Sequence, residues 1–393
     1  MKFIKLIKST YYHEKDTTKK LQDFIGKAKQ LSFGRECIKF EKNFSEYQGR
    51  KECILVNSGS SANLALIQAL LNLKRIKKGD LIGFSALTWS TNVMPIIQLG
   101  FEAIPIDIEL STLNVSSKKL LEVLGTYPLK VVFITNLLGF CDDIDEIQRI
   151  CKEKKIILIE DNCEALGTIY KKKKLGNFGL ASTFSFYVGH HLSTVEGGAV
   201  CTDDKNLARM VRLVRAHGWD RNLDFIQQTE IRKKFKINST FYSRYTFYDL
   251  GYNLRPTEIN AFLGNVQLKY MNEVIEKRKM NFIAVAKALS SHSDMYYLTE
   301  YDHIDLISNF AIPVICKTVE RRDELIAKCE GKIEIRPVVG GHIGLQPFFS
   351  KYMKRHAKPK PNAELVHKQG FYLGNNPEMT DKEIKYIIKI LTS

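Results

Sequence analysis

Three short runs and one tryptophan in this chain of 393 residues carry side chains able to do chemistry. In Phe184-Ser185-Phe186-Tyr187-Val188-Gly189-His190-His191, followed by Glu196-Gly197-Gly198, two imidazoles stand side by side after a β-rich run. An imidazole moves protons near neutral pH, while a satisfied hydrogen-bonding role is the competing reading for a lone histidine at such a junction. In Ile157-Leu158-Ile159-Glu160-Asp161-Asn162-Cys163-Glu164, carboxylates close an apolar strand. An acid placed there can pair with a cation or simply cap a turn. Asn57-Ser58-Gly59-Ser60-Ser61-Ala62-Asn63 follows a strand and opens a helix. Glycine permits the tight turn, and the hydroxyls and free helix amides can cradle an anion; Ser60 or Ser61 as a plain N-cap is the alternative. Trp89, one of two tryptophans, offers an indole face for stacking on a flat ring or for buried packing.

The elements that must position these residues form an alternating pattern. From Lys51 to Asp204, β-rich runs alternate with helical periodicities, which predicts an α/β domain with a largely parallel sheet. Strands are expected at Glu52–Val56, Asp80–Ser85, Glu102–Ile106, Val131–Thr135, Ile156–Glu160, Ser182–Phe186 and Gly198–Thr202, and helices at Ala62–Lys74, Ile144–Lys154 and Asp204–His217. Such connections place functional residues at the carboxyl ends of strands. Residues 218 to 250 are polar and aromatic and read as an active-site or interface excursion. A long helix is expected after Thr257, then strands near Asn309–Cys316 and Gly331–Arg336 and a last helix from Asp381. The expected division is 1–255 for a large domain and 256–393 for a smaller α+β one.

Composition narrows the classes. A net charge of +16 is spread along the whole chain, and the run Lys171 to Lys174 reads as a solvated hairpin, so nucleic acid is not the expected partner. The basic background suits steering of an anionic substrate. No apolar run approaches a bilayer span, and the basic opening stretch is too short for a signal peptide, so a cytoplasmic location is expected. Eight cysteines show no C-x-x-C or C-x-C pair, so neither a metal nor an iron–sulfur cluster is expected.

Taken together, the three runs and Trp89, with Phe140–Asp145, Gly251-Tyr252-Asn253-Leu254-Arg255-Pro256-Thr257 and Arg336-Pro337, resemble the fold-type I nucleotide-sugar aminotransferase/dehydratase family, related in fold to aspartate aminotransferase. The resemblance covers nearly the whole chain and implies pyridoxal phosphate (PLP) as cofactor. It implies that Gly59, Ser60 and Ser185 hold the cofactor phosphate, that Trp89 stacks on the ring and that Asp161 faces the pyridine nitrogen. Asn253 would reach the phosphate of a neighbouring subunit, making the site a homodimer product. Glu164 replaces the Gln or His common in the aminotransferases and would lie near the ring hydroxyl or the amine.

His190 stands where that family carries its cofactor-binding lysine. An imidazole cannot hold PLP as a stable Schiff base, as a primary amine does. Family members with histidine here are sugar 3-dehydratases, and one group of them needs a cluster bound by a C-x-C pair that this chain lacks. The implied group is the cluster-free one, acting on GDP-linked 4-keto-6-deoxy sugars, hexose or heptose. The shared pieces are Gly189-His190-His191, His217-Gly218-Trp219, the run from Arg336 and Gly370-Phe371-Tyr372-Leu373-Gly374-Asn375-Asn376. Gly341-His342 departs from the Gly-Asn expected there. By this resemblance L-glutamate converts PLP to pyridoxamine phosphate (PMP), His190 is the catalytic base, and ammonia is released. His217, Arg255, Arg336 and His342 remain as candidates for substrate contact. The competing readings are an aminotransferase using a lysine from elsewhere and a non-catalytic PLP-fold binding or sensor protein.

Overall fold

Seven apolar runs assemble into one sheet whose strand order explains how residues far apart in sequence meet. The structure, a computed structural model, describes residues 3–393; Met1 and Lys2, which begin the basic N-terminal stretch, lie outside the described residues. The strands are β1 (Glu52–Val56), β2 (Leu81–Ser85), β3 (Glu102–Ile106), β4 (Val131–Thr135), β5 (Ile157–Asp161), a small hairpin β6 (Ile169–Tyr170) and β7 (Lys173–Lys174), then β8 (Ala181–Ser185) and β9 (Gly198–Thr202). Across the sheet the order is β1-β9-β8-β5-β4-β2-β3. Strand β9 runs antiparallel to both neighbours, and the other pairs are parallel.

Successive residues of β4 serve opposite faces, as the pleat requires. Val131 and Phe133 join a core with Ile54, Leu66 and Val200, whereas Val132 and Ile134 join a second core with Ile312, Val314 and Phe371. Burying each such side chain stabilises by about 1.5–3 kcal/mol, which fixes the register of the strand ends.

The helix α3 (Gly59–Asn72), following α1 (Glu14–Lys27) and α2 (Arg35–Gln48), begins three residues before the predicted start at Ala62. Ser58 is its N-cap, accepting the Ser61 N–H at 3.1 Å. The helices α1 and α2 were not anticipated. They are dense in charged residues, yet α2 buries Cys37, Phe40 and Phe44 against Phe184 and Phe186.

The expected long helix after Thr257 is instead two helices, Glu258–Gln267 and Met271–Ser290, joined by a 3₁₀ turn. They lead to a second, antiparallel sheet of β10 (Tyr296–Tyr297), β11 (Ala311–Cys316), β12 (Ile335–Pro337) and β13 (Gly370–Gly374), in the order β10-β11-β13-β12. The strand predicted at Gly331–Arg336 starts only at Ile335, because the chain turns at Gly331 with φ +66°. Helix Asp381–Leu391 follows, opened by a Thr380–Glu383 capping box. Contacts cross residue 255 at many points; among them, Ile4 bridges Ile333, and the Phe349 ring lies 5.8 Å from that of Phe84.

The 218–250 excursion holds a helix, Phe225–Lys234, and leaves Phe225, Phe241, Tyr242 and Leu250 exposed. No helix among the described residues is long and apolar enough to cross a membrane.

Candidate active site

The carboxyl ends of β1, β2, β4, β5 and β8 open on a cavity of about 470 Å³, closed from the other side by Phe310, Arg336 and Tyr372 beside the second sheet. Gly59, Ser60, Trp89, Asp161, Glu164, Ser185, His190 and Arg336, all expected from the sequence, line this one space.

At its floor, the backbone of Gly59 lies against Ser185. A Cβ on Gly59 would fall 2.7 Å from the Ser185 Cβ and 3.1 Å from the Cys163 sulfur, so only glycine fits. From the other side Gly198 closes on the same turn, where a Cβ would meet the Ser58 carbonyl oxygen at 2.3 Å. Ser58 caps the Ser61 amide and its carbonyl takes the Ala62 amide, while the amides of Gly59 and Ser60 have no protein acceptor among the described residues. Two free N–H groups and the Ser60 and Ser185 hydroxyls therefore form a cradle for an anion at the start of a 14-residue helix.

Asp161, the last residue of β5, is held by three donors. Its Oδ1 accepts the Cys163 N–H at 2.8 Å, and its Oδ2 accepts the side-chain amides of Asn63 at 3.0 Å and Asn92 at 2.7 Å. Asn92 was not singled out in the sequence, and Asn63 only as part of the cradle run; no local pattern marks either as a partner of Asp161. Trp89 is 52% exposed on the cavity wall, which leaves its indole face free and removes the buried-packing alternative.

His190 sits in the irregular loop between β8 and β9. Its Nδ1 is 2.6 Å from the Cys163 carbonyl, which can only accept, so Nδ1 carries the hydrogen and Nε2 keeps its lone pair. Burial among protein groups pushes its pKa down to about 4, against the smaller opposing influence of the Cys163 hydrogen bond. The ring packs on Phe310 with centroids 4.9 Å apart. His191 turns away from the cavity: it is buried, with Nε2 at 3.1 Å from the Ser308 carbonyl.

Glu164 accepts the Leu138 N–H at 2.9 Å, and burial lifts its pKa to about 8, with the Asp161 charge adding to the rise. At neutral pH it is therefore mostly a carboxylic acid able to donate. Arg336, held by Glu334 at 2.5 Å, is the one lysine or arginine on the cavity wall among the described residues.

Four expected residues lie elsewhere. Asn253 is exposed and accepts from Arg255 Nε at 2.9 Å, and His217 stacks edge-on to Trp219 with centroids 5.0 Å apart. His342, at 2% exposure, is bridged to Leu87 behind the wall and does not reach the cavity.

GDP-4-keto-6-deoxy-D-mannose 3-dehydratase of Yersinia pseudotuberculosis is 35% identical over 367 residues, covering 92% of each chain. Among solved structures, an E. coli GDP-4-keto-6-deoxy-D-mannose-3-dehydratase with bound hydrated PLP matches with a TM-score of 0.90 at 32% identity, covering 100% of each chain. A GDP-4-keto-6-deoxymannose-3-dehydratase with a trapped PLP-glutamate geminal diamine matches at TM-score 0.86 and 31% identity, over 98% of this chain and 99% of that one. Residues 12–392 match the DegT/DnrJ/EryC1/StrS aminotransferase family, and the chain belongs to that family.

Proposed function

We propose that this chain is a PLP/PMP-dependent lyase that removes the 3-hydroxyl of a GDP-linked 4-keto-6-deoxy sugar. L-Glutamate supplies the amine and ammonia is released, in the making of 3,6-dideoxy sugars for surface polysaccharide. The observation that carries this reading is His190: a neutral imidazole with a free Nε2, in the same cavity as an anion cradle, where the family's lysine would stand.

The residues fit the cofactor on their own terms. A cradle that a Cβ would fill and two unused helix amides match a phosphate, and a carboxylate fixed by three donors in the same cavity matches a cationic ring nitrogen. Gly59, Ser60 and Ser185 would hold the phosphate, Trp89 would cover a ring face, and Asp161 would neutralise the ring nitrogen. When bound, the pyridoxamine form supplies an amine for the 4-keto group and a conjugated ring that stores electrons.

The protein's own work is proton handling and placement. Nε2 of His190 would take the proton from the carbon that carries the cofactor's amine and return it to the departing 3-hydroxyl, which leaves as water. With no amine at position 190, the cofactor is never tethered there. Glu164 offers a neutral O–H donor, and Arg336 is placed to receive a carboxylate of glutamate. Asn253, exposed and outside its own chain's cavity, would complete the phosphate site of a partner in a homodimer. Residues 1–255 would form the cofactor-binding domain and 256–393 the smaller one, in a cytoplasmic enzyme.

Incubation with PLP, L-glutamate and GDP- or CDP-linked 4-keto-6-deoxy sugars should release ammonia and a 3-deoxy product only with the GDP-linked sugar. A stable amino sugar formed without ammonia would show an aminotransferase instead.

A further inference from the structure

Arg278 lies in the middle of helix Met271–Ser290, buried at 4% exposure, with no carboxylate partner among the described residues. Its guanidinium serves backbone carbonyls. Nη2 donates to the His190 carbonyl at 3.1 Å, and Nη1 to those of Phe310 at 2.8 Å and Asn309 at 3.5 Å. One planar group thus joins the loop that carries the base to the segment whose Phe310 ring lies against that base.

The same segment is held from both ends. Asn375, in the Gly370–Asn376 run, donates its side-chain amide to the carbonyls of Arg278 at 3.0 Å and Asn309 at 3.2 Å. Asn309 donates to the Leu138 carbonyl at 3.1 Å, and the Leu138 N–H binds Glu164. His191 adds its own tie to Ser308. The loop has no regular secondary structure, only turn bonds such as that from the His190 N–H to the Tyr187 carbonyl at 2.9 Å, so these contacts and the Cys163 hydrogen bond help to fix where the imidazole stands.

Burying an arginine without a counterion costs several kcal/mol, and burial pulls its pKa down to about 9. A carbonyl-only role could be filled more cheaply by a neutral amide. A guanidinium offers more donors than an amide, in a rigid, planar fork that reaches the His190, Phe310 and Asn309 carbonyls at once. A lysine bound to its cofactor would be held at its tip by that bond; a histidine base has no such bond and must be held by the protein.

We propose that Arg278, locked by Asn375, is a positioning residue that sets the His190 imidazole by clamping the His190 and Phe310 main chains together. This rests on His190 being the base. The charged groups that act on the imidazole are Arg278, which binds the His190 carbonyl, and Asp161, which lines the same cavity.

The test uses Arg278→Lys, Arg278→Met and Asn375→Ala in the full chain, beside the unsubstituted enzyme. A lysine keeps the charge but its ammonium cannot reproduce the fork. Arg278→Lys and Asn375→Ala should lower kcat for 3-dehydration by about 100-fold, the usual cost of a base displaced by an ångström, with KM for the nucleotide sugar unchanged. Nitrogen-15 NMR of cofactor-free protein should show that the His190 Nδ1–H signal, sharp in the parent, broadens or shifts in each variant. Arg278→Met should also raise the His190 pKa by removing the nearby positive charge.

Unchanged kcat and an unchanged His190 signal in Arg278→Lys would overturn the clamp. Loss of activity matched by loss of folded protein, with the remaining folded fraction fully active, would overturn it as well. If Arg278→Met does not fold, Arg278→Lys and Asn375→Ala decide. Absence of 3-dehydration in the unsubstituted chain would instead remove the dehydratase reading, and the NMR comparison would still judge the clamp.

Discussion

The Nδ1 of His190 and the carbonyl oxygen of Cys163 are 2.6 Å apart, and this contact chooses the tautomer that leaves Nε2 able to accept a proton. A backbone carbonyl makes the choice permanent, since it cannot donate. The residue that supplies it is two positions after Asp161, so one short turn orients the His190 imidazole and, through the Cys163 N–H, the Asp161 carboxylate.

His190→Asn should keep cofactor affinity and lose dehydration by about 10²–10⁴-fold, the usual contribution of a positioned base. His190→Lys should instead capture PLP covalently, so that borohydride tethers cofactor to the variant but not to the parent. Mass spectrometry of the intact chain reads both outcomes. Full dehydration by His190→Asn would remove the role given to the imidazole.

Burial lowers the His190 pKa to about 4 in the cofactor-free protein. Its ring protons should therefore show no titration from pH 8 down to 5 and move only near 4. Because the unfolded chain binds this proton from about 6.5 downward, His190 should cost stability progressively as pH falls from 6.5 to 4. His190→Asn should flatten that part of the pH–stability curve, measured by urea unfolding.

Glu164 has the opposite sign. Its pKa is raised from 4.5 to about 8, so the folded state keeps a proton that the unfolded chain releases, and its contribution is lost as pH rises through that interval. Glu164→Gln should remove the loss between pH 4.5 and 8 while leaving stability below 4.5 little changed. A parallel shift at all pH values would mean that Glu164 is not neutral in the folded protein.

Gly59→Ala places a methyl carbon where the Ser185 Cβ lies 2.7 Å away. The strain should cost about 1–3 kcal/mol and splay the cradle. PMP affinity, followed by tryptophan fluorescence through Trp89, should drop by about tenfold or more, one decade for each 1.4 kcal/mol. Unaltered affinity would show that the phosphate binds elsewhere.

Much of the site was legible because its parts are local. The Ser/Gly turn after β1 and the acid at the end of β5 each follow an apolar run, and the histidine sits a few residues beyond the end of β8, so each is visible in a window of about ten residues. Asn92 and Arg278 were not legible, because nothing nearby in sequence marks them. Arg278 acts on a residue 88 positions away, from the interior of an ordinary helix. The strand β13 was seen only as a motif, since its glycines at both ends hide the apolar alternation. The expected single helix after Thr257 failed for a related reason: apolar periodicity runs on through the 3₁₀ turn at Leu268–Tyr270 without a glycine or proline to mark the break.

Strand β1 has one neighbour in the sheet, β9, and Gly198 at the start of β9 presses on the turn after β1. On a ribosome, the cradle residues Gly59 and Ser60 therefore emerge well over a hundred positions before Ser185 and the strand β9 that complete the cradle. Until residues 198–202 have left the exit tunnel, β1 is an unpaired edge and the cradle has no back wall. Cofactor capture is thus a late event in biosynthesis, and a nascent chain halted before β9 should hold an apolar strand open to chaperones rather than a vitamin B6 phosphate.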